Sequence, residues 1–202
     1  MKMSSLDILT SFVIAMKNEQ KTIDSKNGCD FEISTNSRYL LGQLIRQLWM
    51  PQNHYYVSEK AFNLWNQITD QSQSNFYHRE KVTCFHDNIS VWKYKGPSTE
   101  HSEDTLNKGD EFIYRDVFHE EHIVPIKVII DDLLLLSEPN PKTIKEVLEK
   151  ELFVCRRLKR EDRSMHNKYR RFKNGEEHIP AIVINGIYKD HGILVKGWDY
   201  SV

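Results

Sequence analysis

The sequence predicts an α+β protein with a helical N-terminal region, and two patterns support this prediction. Residues 4–17, 37–50 and 58–68 carry apolar side chains at helical spacing. From about residue 81 onwards, short runs rich in Val, Ile, Phe and Tyr lie between turn residues, which is typical of strands. A chain of 202 residues is long enough for one elaborated domain or for two small domains.

Composition and charge leave most functions open. Charged residues make up 28% and hydrophobic residues 39% of the chain, as in ordinary globular proteins, and the net charge of −1 favours no class of partner. No stretch is long and apolar enough to span a bilayer, so we expect no membrane partner. Cys29, Cys84 and Cys155 are far apart and form no C-x-x-C pair. This spacing disfavours a disulfide framework and a thiolate zinc site, and it fits a reducing cytoplasm.

Capping residues indicate where the predicted helices begin. The hydroxyl of Ser4 or Ser5 can cap the first helix, and that of Ser58 can cap the third. Pro51 follows the predicted end of the second helix, where a proline is expected.

A polar loop at residues 96–109 is the predicted boundary between two regions. Residues 1–80 form the predicted helical region, which would serve substrate engagement or dimerisation, and residues 81–202 form the predicted catalytic domain. In the second region the patterns predict a hairpin at 82–94, strands at 111–117 and 152–158, helices at 128–136, 142–150 and 161–172, and a turn at Asn185-Gly186.

The segment 118–125, FHEEHIVP, carries the clearest chemical signal. It places Glu121 next to His122 in an extended segment that stops at Pro125. A carboxylate can hold a divalent metal while a neighbouring imidazole takes a proton from water. Further along, Asp162 and His166 are spaced i and i+4, so a helix would present both on one face.

The order of a Glu121-His122 strand, two inserted helices, a second strand and a charged helix resembles the ββα-metal, or HNH, nuclease superfamily. The resemblance covers about residues 111–172, and residues 121–125 are similar to the family's acid-His-hydrophobic-hydrophobic-Pro start. It implies a ββα-metal-type core with a helical insertion, in which His122 deprotonates the attacking water. It also implies that Glu121, Asp162 and His166 hold Mg²⁺ or another divalent ion such as Mn²⁺.

Two features depart from the family. The zinc-knuckle cysteines are missing, and no asparagine clearly occupies the middle position, for which Asn140 is a poor match between two prolines. The individual residues also have ordinary explanations. His122 can be a partly buried strand-end histidine, Glu121 a solvated strand residue, and Asp162 a favourable charge at a helix N-terminus. His119 is a reserve ligand.

Basic residues indicate the substrate class. They crowd one segment of a nearly neutral chain: Arg156, Arg157, Lys159, Arg160, Arg163, Lys168, Arg170, Arg171 and Lys173. Such a patch neutralises phosphates and makes binding depend steeply on salt, although a solvated helix face is the simpler alternative. Arg115, just before the motif, could pair with the scissile phosphate.

Together these patterns predict a metal-dependent endonuclease that hydrolyses DNA phosphodiester bonds, with duplex DNA favoured and a restriction or defence role. Cutting both strands would require a homodimer by symmetry. Two alternatives stay open: a non-catalytic nucleic-acid-binding protein, and a metal-dependent hydrolase of a small molecule.

Overall fold

The computed structural model describes residues 4–27, 35–48, 55–68, 77, 92–93, 111–112, 117–165 and 179–201. These residues form a mixture of helices and short strands, which confirms the α+β class. In chain order the elements are α1 (Ser5–Asn27), α2 (Thr35–Leu48), β1 (Tyr56–Val57), α3 (Glu59–Ile68), β2 (Trp92–Lys93), β3 (Glu111–Phe112), β4 (Phe118–His122), α4 (Ile126–Leu135), α5 (Pro141–Glu151), β5 (Val154–Leu158), α6 (Lys159–Met165), α7 (Pro180–Val183) and a π-helical turn (Ile184–Tyr188).

The chain divides into two compact units. Unit one comprises Met1–Pro51 and Val124–Leu152, and unit two comprises Gln52–Ile123 and Phe153–Val202. Each unit is built from two separate stretches of the chain, whereas the two regions predicted from the sequence are each continuous. This division arises because α4 and α5 are inserted between β4 and β5, and because β1 and α3 pack with the sheet.

Unit one is helical in its described residues, and its helices bury aliphatic faces. The buried side chains are Leu9, Val13 and Met16 of α1, Leu41 and Ile45 of α2, Ile129 and Leu133 of α4, and Ile144 and Leu148 of α5. They recur every three or four residues, so the helical periodicity of the sequence is the cause of this packing. An ion pair between Arg38 and Asp131 links α2 to α4.

Side-chain caps begin several helices. The Ser4 hydroxyl accepts the backbone N–H of Asp7 at 3.1 Å, and the Ser58 hydroxyl accepts that of Ala61 at 3.2 Å. Both caps confirm the predicted helix starts, because each satisfies a backbone donor that has no partner within its helix. Asn140 caps α5 by accepting two backbone N–H groups, which gives this asparagine a structural role.

Unit two contains a three-stranded sheet in the order β1-β5-β4. The central strand β5 is parallel to β1 and antiparallel to β4. A second sheet pairs β2 with β3 antiparallel. The backbone N–H of Ile123 donates to the carbonyl of Phe153 at 2.9 Å, so the chain leaves and re-enters unit two at adjacent points.

An apolar cluster fastens α3 to the three-stranded sheet. Its buried members are Val57, Ala61, Phe62, Trp65, Val117, Phe118 and Leu158. The rings of Trp65 and Phe118 meet edge to face with centroids 6.2 Å apart, an arrangement that aromatic pairs favour.

The predicted turn at Asn185-Gly186 is wrong. Pro180 occupies the first turn of α7, where proline fits well, and the helix continues through these residues as the π-helical turn. The side-chain oxygen of Asn185 accepts the indole N–H of Trp198 at 2.8 Å, and this tertiary contact accompanies the helical conformation. Most of the predicted hairpin at 82–94 lies outside the described residues.

Candidate functional site

The candidate site lies on the β4–β5 pair, where consecutive glutamates meet consecutive arginines. Across the two strands the register matches His119 with Arg157, Glu120 with Arg156, Glu121 with Cys155, and His122 with Val154. Side chains alternate along a strand, so these residues divide between two faces. We call them the Arg156 face, with Glu120, His122 and Arg156, and the Arg157 face, with His119, Glu121, Cys155 and Arg157.

On the Arg156 face, a buried arginine is held by a carboxylate and an aromatic ring. Arg156 is 0% exposed, and its Nε donates to Oε1 of Glu120 at 2.8 Å. The guanidinium carbon lies 4.5 Å from the ring centroid of Tyr55. An arginine in the interior is costly unless it is paired, and these contacts offset that cost.

On the Arg157 face, the second arginine joins three elements of unit two. Its Nη2 forms an ion pair with Oε2 of Glu121 in β4. Its Nη1 contacts the sulfur of Met165 in α6 at 3.2 Å, and its guanidinium carbon lies 5.4 Å from the ring centroid of Tyr188. Arg157 is also 0% exposed, whereas the side chain of Glu121 keeps 23% exposure. The negative charge of Glu121 is therefore balanced by the positive charge of Arg157 in this conformation.

Helix α6 follows β5 directly and packs against both β5 and β4. The buried carboxylate of Glu161 anchors it: Oε2 accepts the hydroxyl of Ser58 at 2.7 Å and the backbone N–H of Leu158 at 2.8 Å. Together with the contact between Met165 and Arg157, this places α6 on the Arg157 face. The helix thus covers the face that carries Glu121.

The thiol of Cys155 belongs to the interior of this face. Burial, followed by the nearby carboxylate of Glu161, raises the pKa of Cys155 well above its usual range. The buried thiol is therefore disfavoured as a thiolate in this conformation.

The two histidines of β4 point to opposite faces. His122 is the last residue of the strand and lies on the Arg156 face, whereas His119 lies on the Arg157 face with Glu121. Both side chains are half-buried. The sequence favours His122 as the catalytic base, but His119 shares a face with α6.

The structure describes part of the predicted metal site. Glu121 lies on β4, in the ion pair with Arg157. The backbone of Asp162 lies in α6. The side chain of Asp162 and all of His166 lie outside the described residues. Among the described side chains, no group of three potential ligands comes together to hold a metal. The predicted phosphate contact Arg115 also falls outside the described range.

The predicted basic patch separates into interior and surface members. Arg156 and Arg157 have their guanidinium groups buried against glutamates, so this conformation does not offer them to a phosphate. Lys159 and Arg160 are half-buried at the start of α6. The side chain of Arg163 and the residues Lys168, Arg170, Arg171 and Lys173 lie outside the described residues.

Three partly exposed aromatic residues lie beside the Arg157 face. Tyr56 pairs with Cys155, and its ring lies 5.8 Å from that of Phe153 and 5.7 Å from that of Trp198, centroid to centroid. Tyr56, Cys155 and Glu121 therefore form one row across the sheet.

Sequence reasoning missed the internal role of the two arginines. The signal was present, because Arg156 and Arg157 stand inside an otherwise apolar strand segment with Leu152–Cys155 before them and Leu158 after. Two adjacent glutamates in a neighbouring strand could have indicated ion pairs on both faces.

Comparison with known proteins gave no match: no family model, curated protein or solved structure is significantly similar to the chain. None of the helices within the described ranges combines the length and the apolar character that crossing a membrane demands.

Proposed function

We propose that the protein is a metal-dependent endonuclease that hydrolyses DNA phosphodiester bonds on a ββα-metal-type core. One observation carries the proposal. Strand β5, which is antiparallel to β4, runs directly into α6, and α6 packs on the face that presents Glu121. In this strand-strand-helix arrangement, β4, β5 and α6 contact one another, and they carry the acidic, imidazole and basic candidate residues.

In the proposed reaction, His122 accepts a proton from the attacking water. This role requires the neutral form of the imidazole, which can accept a proton. His122 and Glu121 lie on opposite faces of β4, so they can reach one water molecule only around the end of the strand, where His122 is the last residue. Glu121, Asp162 and His166 would hold the ion, and carboxylates are ligands that suit Mg²⁺ and Mn²⁺. The bound ion would supply positive charge at the leaving oxygen and the phosphorane.

Basic side chains would hold the substrate backbone. Lys159 and Arg160 begin α6, next to the strand that carries the site, and Arg163, Lys168, Arg170 and Arg171 follow in the chain. Arg115 would pair with the scissile phosphate. We further propose duplex DNA as the substrate, a homodimer for cutting both strands, and a restriction or defence role in the cytoplasm.

The test is incubation of the purified protein with plasmid in Mg²⁺, Mn²⁺ or EDTA. We expect nicking or linearisation with a divalent ion and none with EDTA. The variant His122→Ala should lose cleavage while it keeps the DNA affinity of the wild type. An intact plasmid under every metal would refute the endonuclease.

One observation favours a second candidate, a nucleic-acid-binding protein without catalysis. The carboxylate of Glu121 is neutralised by Arg157, which is the arrangement expected if Glu121 is a structural residue. This candidate predicts salt-dependent DNA binding in the same experiment and no cleavage under any metal.

A further inference from the structure

We propose that one proton, shared by the carboxyl groups of Asp132 in α4 and Glu151 in α5, joins these two helices, and that loss of this proton releases the last turn of α5. Glu151 is the last residue of α5, and β5 begins three residues later. The two carboxyl groups, which we call the carboxyl pair, would make the end of the helix before β5 sensitive to pH. This device is independent of the cleavage of nucleic acid.

Glu151 is buried although it carries an ionisable group. The residue is 5% exposed, and Oε2 of its carboxyl group has no hydrogen-bond partner among the described residues. Both α1 and α4 pack against α5, and the other buried residues of α5 are Ile144 and Leu148. An ionised carboxylate in such surroundings loses its hydration without full compensation, so the neutral carboxylic acid is favoured there.

The hydrogen bond within the carboxyl pair requires the same protonation state. The carboxyl group of Glu151 is hydrogen-bonded to that of Asp132. Two ionised carboxylates are both acceptors, so a hydrogen bond between them needs a proton on one of the two. Burial, followed by the charge of Asp132, raises the pKa of Glu151 to about 8. Because Asp132 is only half-buried, we assign the proton to Glu151.

The charged groups on α4 and α5 do not replace this proton. Lys150, next to Glu151, lowers the pKa of Glu151, but its effect is smaller than those of burial and Asp132. Asp131, the neighbour of Asp132 on α4, pairs with Arg38. Glu151 also lies at the C-terminal end of its helix, where the helix dipole disfavours a negative charge.

The charged side chains described on α1 have other surroundings. The ammonium of Lys17 donates to the carbonyl of Leu136 at the end of α4. Asp7 forms hydrogen bonds at the start of α1, and Glu19 is exposed. In this conformation, an ionised Glu151 thus has no cation from the described part of α1 as its partner.

The segment that ionisation releases is short. An ionised Glu151 reaches water by leaving α4, and this movement disturbs the last turn of α5, which the backbone N–H of Leu152 closes by donating to Leu148 at 2.9 Å. The following residues are held separately, because the carbonyl of Phe153 accepts a backbone N–H of unit two and β5 pairs with β1 and β4. We therefore expect residues 148–152 to open while β5 stays paired.

NMR of the purified, ¹³C-labelled full chain follows both the proton and the helix. We expect the carboxyl carbon of Glu151 to titrate with a midpoint of about pH 8. The helical Cα shifts of residues 148–152 should be lost with the same midpoint, while the earlier turns of α5 and the strand shifts of β5 are kept. Titration of Glu151 below pH 6 overturns the proposal, as do helical shifts at 148–152 that persist at pH 9 or a simultaneous loss throughout α5 and β5.

Two variants separate the carboxyl pair from a general effect of charge. Glu151→Gln cannot ionise and keeps a hydrogen-bond donor for the carboxylate of Asp132, so its last turn should stay helical from pH 6 to pH 9. Glu149→Gln, on the exposed side of the same helix, is the matched control and should lose the last turn as the wild type does. Loss of the turn in Glu151→Gln, or its retention in Glu149→Gln, overturns the proposal.

Should Glu151→Gln fail to fold, Asp132→Asn takes its place. This substitution removes the like charge, and its amide can donate to an ionised Glu151. We expect a lower titration midpoint for Glu151 and a last turn that stays helical at pH 9, and an unchanged midpoint overturns the proposal. Should neither variant fold, the titration of the wild type decides by itself.

Discussion

Arg156 and Glu120 lie directly opposite each other on β5 and β4, with 2.8 Å between Nε and Oε1. On the other face Arg157 forms an ion pair with Glu121, which is its diagonal neighbour, because the residue directly opposite Arg157 is His119. Two carboxylates on β4 therefore compensate the charges of two buried arginines on β5. We expect the stability of unit two to depend on both pairs.

Removing the carboxylate of Glu120 should destabilise the fold. We expect Glu120→Ala to lower the free energy of unfolding by about 3 kcal/mol, because it leaves the buried charge of Arg156 without its carboxylate. Urea unfolding measures this change. The control is Glu146→Ala, which breaks the exposed pair with Lys142 on α5 and should cost no more than about 0.5 kcal/mol. Equal effects of the two substitutions would show that the interior pair contributes no more than a surface one.

The hydroxyl of Ser58 forms two hydrogen bonds. Removing it should therefore lower the free energy of unfolding more than removing an ordinary helix cap does. Ser58→Ala removes the acceptor for Ala61 and the donor to the buried carboxylate of Glu161. We expect a loss of about 2 kcal/mol in thermal or urea unfolding. Ser201→Ala, which removes an exposed hydroxyl, should cost under about 0.5 kcal/mol. A Ser58→Ala protein as stable as the wild type contradicts this account of how α3 and α6 are joined.

Glu151 should make stability depend on pH. Burial, then the charge of Asp132, raises its pKa to about 8 from the usual 4.5. The folded state thus holds this proton more tightly than the unfolded state does. Its contribution to stability is complete below about pH 4.5 and is lost as the pH rises through 8. Each pKa unit corresponds to about 1.4 kcal/mol, so the loss is on the order of a few kcal/mol.

The variant Glu151→Gln, which is neutral at every pH, should remove most of this dependence. In urea unfolding at pH 5, 7 and 9, it should be more stable than the wild type at pH 9 and similar to it at pH 5. Glu149→Gln, on the exposed side of the same helix, should follow the wild type. A wild-type stability that stays flat from pH 5 to pH 9 would rule out a buried proton on Glu151.

A plasmid cleavage assay distinguishes which of the two histidines of β4 acts as the base. With His122 as the base, His122→Ala should lower plasmid cleavage by about 100-fold or more, while DNA binding persists. His119→Ala should have a smaller effect. The reverse result, with cleavage lost only in His119→Ala, would transfer the role of base to the face that α6 covers.

Lys159 and Arg160 are the described members of the basic patch that are not fully buried. Replacing either with Ala should weaken DNA binding across sequences and reduce the salt slope by about one. Lys142→Ala, an exposed control in unit one, should leave the slope unchanged. If all three variants keep the wild-type slope, the start of α6 is not part of a nucleic-acid interface.

Much of the local structure could be predicted from patterns within short stretches of the chain. Helical periodicity and hydroxyl caps located α1 and α3, and the proline break located α5, because these signals act between residues a few positions apart. The order of β4, two helices, β5 and α6 was also predictable for the same reason.

The roles of the charged residues could not be predicted in this way, because they depend on contacts between segments. A run of arginines has the same local pattern on a surface as in a strand interior, and the difference depends on what the neighbouring strand presents. Here β4 supplies Glu120 and Glu121, and they turn Arg156 and Arg157 inward. Likewise, Asn185 stands in a helix rather than a turn, and its side chain accepts the indole N–H of Trp198, thirteen residues further along the chain. Burial and pairing are properties of contacts between segments, and the sequence of one segment does not contain them.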